Sequence, residues 1–265
     1  MITSYSAYCG EQKNRAGTRT EPIRVERGAG IISIFLNRPE RRNALSFTLL
    51  ARLSEALSSE IEEDTAALII SGSTQFFSAG ADLADMTGTV DDLRMEDAIE
   101  DVTQKIQDAP VPVIAAIDGP CMGGSCQLAL SCDYRVASAS AFFQVPSSRF
   151  GMLYSPEAIV RMHQRIGHDG VFRMLVLGER LDATAALHAG IVSRIVDGAS
   201  YEAAIKIAEA CKVNFRSAME STKQLLNAIE VGNYDPEEWQ ERRRVLLSSE
   251  ERKLAVRKEK KRRGS

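Results

Sequence analysis

The sequence predicts an α/β domain with largely parallel strands, on three observations. Short apolar runs at 31–36, 67–71 and 113–117 alternate with longer stretches of helical period. Strands that alternate with helices in this way imply parallel pairing. A chain of 265 residues, 44% hydrophobic and 26% charged, suits one large core better than two independent ones.

Residues 1–20 hold Gly10, Lys13, Arg15, Gly17 and Arg19 and few periodic apolar positions, so they read as a flexible extension. Residues 31–36 read as a strand and 46–62 as an amphipathic helix with Ser46 at its N-cap. Residues 67–71 form a buried strand, Phe76-Phe77 a further short strand, and 84–90 a loop. Residues 92–107 are polar and helical, 113–117 are another buried strand, and 134–137 continue the β series. Past a turn at Gly198-Ala199-Ser200, three helices are expected over 201–211, 215–230 and 236–248. This pattern does not by itself separate a doubly wound sheet from a spiral.

Composition narrows the function classes. No apolar run approaches the roughly 18 residues of a membrane span. The first residues show no basic segment followed by an apolar one, so cytoplasmic residence is expected. Cys9, Cys121, Cys126, Cys132 and Cys211 are odd in number and lack C-x-x-C spacing, which supports neither a zinc site nor a disulfide framework. Cys126 and Cys132 read as buried core residues. His163, His168 and His188 have no metal-ligand spacing, and no metal is expected. The last fifteen residues carry eight Lys/Arg against two Asp/Glu, whereas the chain as a whole stands at −3. That near-neutral total, with no aromatics interleaved in the basic tail, argues against nucleic acid as a partner.

The most informative stretch is 111–151. Gly123-Gly124 precedes the apolar run Ser125-Cys126-Gln127-Leu128-Ala129-Leu130, which places free backbone N–H groups at a helix N-terminus, where negative charge is stabilised. Upstream stands Phe76-Phe77-Ser78-Ala79-Gly80-Ala81-Asp82-Leu83. Together with Leu36-Asn37-Arg38-Pro39 through Asn43-Ala44-Leu45, and with the elements at 178–183 and 189–196, these segments resemble the crotonase (enoyl-CoA hydratase/isomerase) superfamily over about residues 23–263.

The resemblance implies a ββα spiral core over 21–198, then a helical region over 199–265 that ends in the basic tail. It implies a coenzyme A thioester as substrate or ligand, acyl-CoA or enoyl-CoA, with no tightly bound cofactor. By residue-by-residue correspondence it gives Ala81 and Gly124 as the oxyanion hole. Arg41, Ala79, Asp82 and Leu83 fall at coenzyme A-binding positions, and Met86, Met122 and Tyr154 in the acyl pocket. The superfamily carries acid/base glutamates where this chain has Gln127 and Ser147. Neither an amide nor a serine hydroxyl titrates usefully there, so altered or weak catalysis is expected. Relocated acids are sought at Asp85 and Glu157, with Glu96 and Asp97 nearby. A homotrimer, or hexamer of paired trimers, is the superfamily's assembly, and the basic tail would help neutralise coenzyme A phosphates. The sequence leaves open an enzyme with altered activity and a non-catalytic acyl-CoA binder. An interaction module built on the tail fits less well, because the A-G-A-D-L and M-G-G-S elements are complete.

Overall fold

The computed structural model describes residues 21–230 and 232–264. The extension expected over residues 1–20 lies outside the described residues. Strands β1 (Ile23–Gly28) and β2 (Ile31–Leu36) form an antiparallel hairpin. Its two-residue turn, Ala29-Gly30, has φ of 51° and 74°, the left-handed geometry that matches strand twist. Helix α1 (Phe47–Ser59) then returns the chain to β3 (Ala67–Ser71). Ser46 caps α1 by accepting the Leu49 N–H, as expected, and the helix stops three residues short of the expected end.

After α2 (Leu93–Asp108) come β4 (Val113–Ile117), β5 (Pro120–Met122), α3 (Gly124–Ser131), β6 (Tyr134–Ser138) and β7 (Phe142–Gln144). Next are α4 (Pro156–Val171), β8 (Leu181–Asp182), α5 (Ala183–His188) and β9 (Arg194–Val196). The large sheet runs β1-β2-β3-β4-β6-β9, parallel beyond the first hairpin, and β5-β7-β8 form a small one. Successive turns of chain lay one strand on the large sheet (β4, β6) and the next on the small sheet (β5, β7). This stepping is a spiral, not a doubly wound sheet.

The large sheet is buried on both faces, which explains its continuous apolar strands. On one face Ile34, Leu68 and Ile70 meet Leu49, Leu53, Met95 and Ile106 of α1 and α2. On the other, Ile31, Ile69, Ile114 and Val136 are covered by Ala204 and Ala208 of α6 (Ser200–Cys211). Each such Leu or Ile contributes about 1.5–3 kcal/mol on burial.

One sequence expectation needs correction. Phe76-Phe77 is not a strand: Ser73 N–H bonds Phe76 O at 2.8 Å and curls the segment into a turn. The only ladder contact left there is the single bridge Ser78–Cys121. The basic tail has regular structure. It is helix α9 (Glu250–Arg263), capped by Ser249, with Glu250 and Glu251 in its first turn and Lys260 to Arg263 in its last. That order of charge complements the helix dipole. Helix α7 (Arg216–Glu230) is anchored on the core by buried Lys223, which donates to Ile106 O and Val111 O and pairs with Asp133. Helices α8 (Pro236–Ser248) and α9 carry no buried residue.

Candidate functional site

Two loops leave the C-terminal ends of β3 and β4 and are stitched together by backbone. Met122 N–H donates to Ser78 O at 3.0 Å and to Ser125 Oγ at 2.8 Å. The Ser125 hydroxyl donates in turn to Met122 O at 2.7 Å, with Ser78 O 3.1 Å away. The approach is so close that a Cβ on Gly80 would lie 2.6 Å from Met122 O, and Gly80 has φ +87°. Only glycine meets both conditions without strain. Gly123, at φ +54° and ψ −130°, then turns the chain into α3.

A second set of bonds holds the Ala81 loop from the other side. Leu45 N–H donates to Gly80 O at 2.8 Å and Asp82 N–H to Leu45 O at 3.0 Å, so Ala81 is fixed by both neighbours. Its own N–H, like that of Gly124, donates to no acceptor among the described residues. Asp82 pairs with Arg38 at 2.8 Å, and Arg38 also donates to Ala44 O at 2.7 Å. Burial pushes the Asp82 carboxyl up, but the Ala84 N–H, the Arg38 guanidinium and the Arg41 charge outweigh it and hold it below the usual carboxylate range.

Ala81 and Gly124 line one cavity of about 50 Å³, together with Gln127, Met86 and Tyr154. Of the residues singled out from the sequence, these five meet there. Glu96, weighed only in passing on the sequence, lines it too. The other walls are Met95, Ile99, Met152 and Ser155. Unbranched, polarizable methionine side chains make a soft wall that can re-pack around a guest. Burial, then the charges of Asp97 and Asp92, push the Glu96 carboxyl above its ordinary value. Burial, then Cys126, Glu96 and Cys121, push the Tyr154 hydroxyl upward, so it stays protonated.

The remaining expected residues lie outside that cavity. Ser147 is buried and donates to Leu175 O at 3.4 Å. Met122 serves through its main chain. The Asp85 carboxylate accepts the Phe47 N–H at 3.1 Å at the start of α1, and Glu157 is exposed in the first turn of α4. Arg41 and Leu83 are exposed and Ala79 half-buried beside the same loop. A larger groove, about 710 Å³, is lined by Pro112, Asp133, Phe215, Met219, Lys223 and Leu226 among others and shares no residue with the cavity.

Behind Gln127 stands a network that sequence reasoning missed. Gln127 Nε2 donates to Glu100 Oε2 at 3.0 Å, and the buried Arg161 clasps Glu100 through both guanidinium nitrogens and reaches Thr103 Oγ1 at 3.3 Å. Arg161 is only 8% exposed. A signal existed: Glu96 and Glu100 are four residues apart, so they share a helix face, and each directly follows a residue of the buried stripe, Met95 and Ile99. No group of His, Cys, Asp or Glu suited to a metal ion occurs among the described residues.

Comparison with known proteins agrees with this architecture. The sequence profile of the enoyl-CoA hydratase/isomerase family matches residues 26–256. A Mycobacterium tuberculosis protein named "Probable enoyl-CoA hydratase echA6" is 34% identical over 206 residues, 77% of this chain and 82% of its own. Among solved structures, Pseudomonas aeruginosa DspI superposes with a TM-score of 0.82 at 29% identity, covering 92% of this chain and 96% of that one. An enoyl-CoA hydratase of Bacillus anthracis gives 0.80 at 28% identity, covering 90% and 96%. The chain belongs to the enoyl-CoA hydratase/isomerase family of the crotonase superfamily.

Proposed function

We propose that the cavity receives the acyl end of a coenzyme A thioester and that Ala81 N–H and Gly124 N–H hold its carbonyl oxygen. The observation that carries this reading is the meeting, at one cavity, of two unpaired amides from two loops that are tied to each other and to Leu45 by main-chain hydrogen bonds. One such donor, preorganised and shielded from water, is worth about 3–4 kcal/mol toward a developing oxyanion. Arg41, Ala79, Asp82 and Leu83 flank the Ala81 amide and would meet the coenzyme. The thioester is a substrate or ligand, and no tightly held cofactor is invoked. Gln127 and Ser147 offer no titrating acid, so catalysis is altered or weak relative to a two-glutamate site. The assembly is a homotrimer or a hexamer, which light scattering measures directly.

A second reading, a non-catalytic acyl-CoA carrier, is favoured by one observation: the Gln127 amide is tied back to Glu100 rather than free in the cavity. The test of thioester binding is calorimetric titration with butyryl-CoA and with S-butyl-CoA, the thioether that lacks only the carbonyl. The thioester is expected to bind at least about tenfold tighter, a difference of about 1.4 kcal/mol. Equal affinities would remove the oxyanion hole from this cavity.

A further inference from the structure

The cavity holds two amide donors and one carboxylate, because Glu96 is the only carboxylate among its lining residues. Glu96 is half-buried on the first turn of α2, while Glu100, one turn on, is engaged by Arg161 and Gln127 behind the wall. Tyr154 lines the same cavity, and its hydroxyl makes no hydrogen bond among the described residues and lies 4.0 Å from where a Cβ on Gly123 would sit. That protonated phenol lies beside Gly123, the residue before the Gly124 amide.

We propose that Glu96 is the proton-transferring group of this site and that its reaction is an allylic double-bond shift in a 3-enoyl-CoA. The inference rests on the thioester reading above. With the carbonyl on Ala81 and Gly124, the Glu96 carboxylate takes the proton from the α-carbon. The broken C–H bond supplies the electron pair of the enolate C=C, and the charge settles on the thioester oxygen, where the two amides, and the Tyr154 hydroxyl as a third donor, receive it. The dienolate then collapses, the γ-carbon takes a proton from Glu96, which in D₂O exchanges with solvent in part of the turnovers and in the rest returns the proton it removed, and a 2-enoyl-CoA results. Nothing is oxidised or reduced and no water is consumed, so one carboxylate suffices. Hydration would require a water to be deprotonated and a proton delivered to carbon, and no second lining carboxylate supports that.

The pH behaviour follows from the surroundings of Glu96. Asp92 and Asp97 face it from its own end of α2 and Tyr154 from the segment before α4. The neutral Gln127 and Ser155 line the same cavity from α3 and the α4 cap. Burial and the two aspartates both favour the protonated form. The base is therefore fully ionised only above the usual glutamate range, and the rate rises with pH through that raised value.

The test uses the full-length protein in D₂O with trans-3-hexenoyl-CoA, following the double-bond shift by absorbance and deuterium uptake by mass spectrometry. Calorimetry of the same thioester runs in parallel. Wild type is expected to catalyse both processes, with an acid limb above the ordinary glutamate pKa of 4.5. Glu96→Gln is expected to lose about 10²-fold or more in rate, together with that limb, while thioester affinity changes by less than about threefold. Glu96→Asp, which keeps a carboxylate one methylene further back, retains an intermediate rate and guards against a merely misfolded Gln variant. Binding without turnover in wild type overturns the inference and leaves thioester binding standing. Failure to bind overturns both. Turnover that survives in Glu96→Gln, or is lost instead in Asp85→Asn or Glu157→Gln, assigns the proton to another carboxylate and overturns the inference.

Discussion

The two sides of the cavity are built from different materials. One is main chain: Ala81 and Gly124 present amides from loops tied by Ser78, Ser125, Leu45 and Asp82, with Gly80 where the two loops approach at Met122. The other is side chain: Glu96, Met86, Met95, Met152 and Tyr154, carried on α2, the loop ahead of it and the segment before α4. The first side is held in its arrangement by the bonds Met122 N–H to Ser78 O, Leu45 N–H to Gly80 O and Asp82 N–H to Leu45 O. The second can be re-peopled residue by residue, since each side chain depends mainly on packing. On the proposed reading, recognition of a carbonyl and choice of reaction are therefore separable in this molecule.

Three substitutions break or sharpen that contrast. The largest effect is expected behind the side-chain wall. Arg161→Ala leaves Glu100 without its cation and Thr103 without a donor. Removing one partner of a buried pair costs about 3–5 kcal/mol, and because the Glu100 side chain is 28% exposed the lower end applies, about 3 kcal/mol in urea unfolding. A loss under about 1 kcal/mol would show that the network does not support this wall.

Next is the main-chain side. Gly80→Ala meets Met122 O at 2.6 Å and must hold a left-handed φ, a cost of about 2 kcal/mol. The strain would shift Ala81 relative to Gly124, so butyryl-CoA affinity is expected to fall alongside stability. Unchanged affinity in a destabilised variant would separate the loops' bonding from the amides' placement.

The smallest effect tests whether Gln127 can simply be made acidic. Gln127→Glu sets a second carboxylate where the amide now donates to Glu100 at 3.0 Å. Two like charges so close cannot both ionise freely, so the pair takes up a proton at higher pH than an unfolded glutamate does. A group with a raised folded-state pKa contributes stability at low pH that is lost as pH rises through that value. Urea unfolding should therefore show the variant level with wild type at pH 5 and weaker at pH 8 by about 1 kcal/mol, close to what a tenfold weakening of one ionisation is worth. A variant equally stable at both would mean that Arg161 neutralises both carboxylates.

How much of this is legible in the sequence follows the same division. The Ser46 cap and the buried strands are local matters, written in caps and apolar runs whose meaning does not depend on distant residues, whereas the choice of a spiral and the Ala81 and Gly124 assignment come only through the family resemblance. Phe76-Phe77 misleads because two phenylalanines resemble a strand, while a backbone bond from Ser73 decides the turn. Glu96, Glu100 and Arg161 are hard to single out because charges on α2 and α4 look like solvated faces in one dimension. Their burial depends on two helices about sixty residues apart meeting across α3, and no local spacing reports that. The basic segment shows its charge but not its helix, which requires the Ser249 cap to be read together with the acidic first turn.

The use of main-chain amides at Ala81 and Gly124 has an evolutionary consequence. A main-chain N–H belongs to nineteen of the twenty residue types, so no codon change at Ala81 or Gly124 deletes the donor, short of one to proline. Side-chain chemistry enjoys no such insurance. A lineage can therefore exchange its acids and bases by single-nucleotide steps while the proposed carbonyl clasp is inherited intact, and the sites that guard that inheritance are Gly80 and Ser125, neither of which supplies the amides themselves.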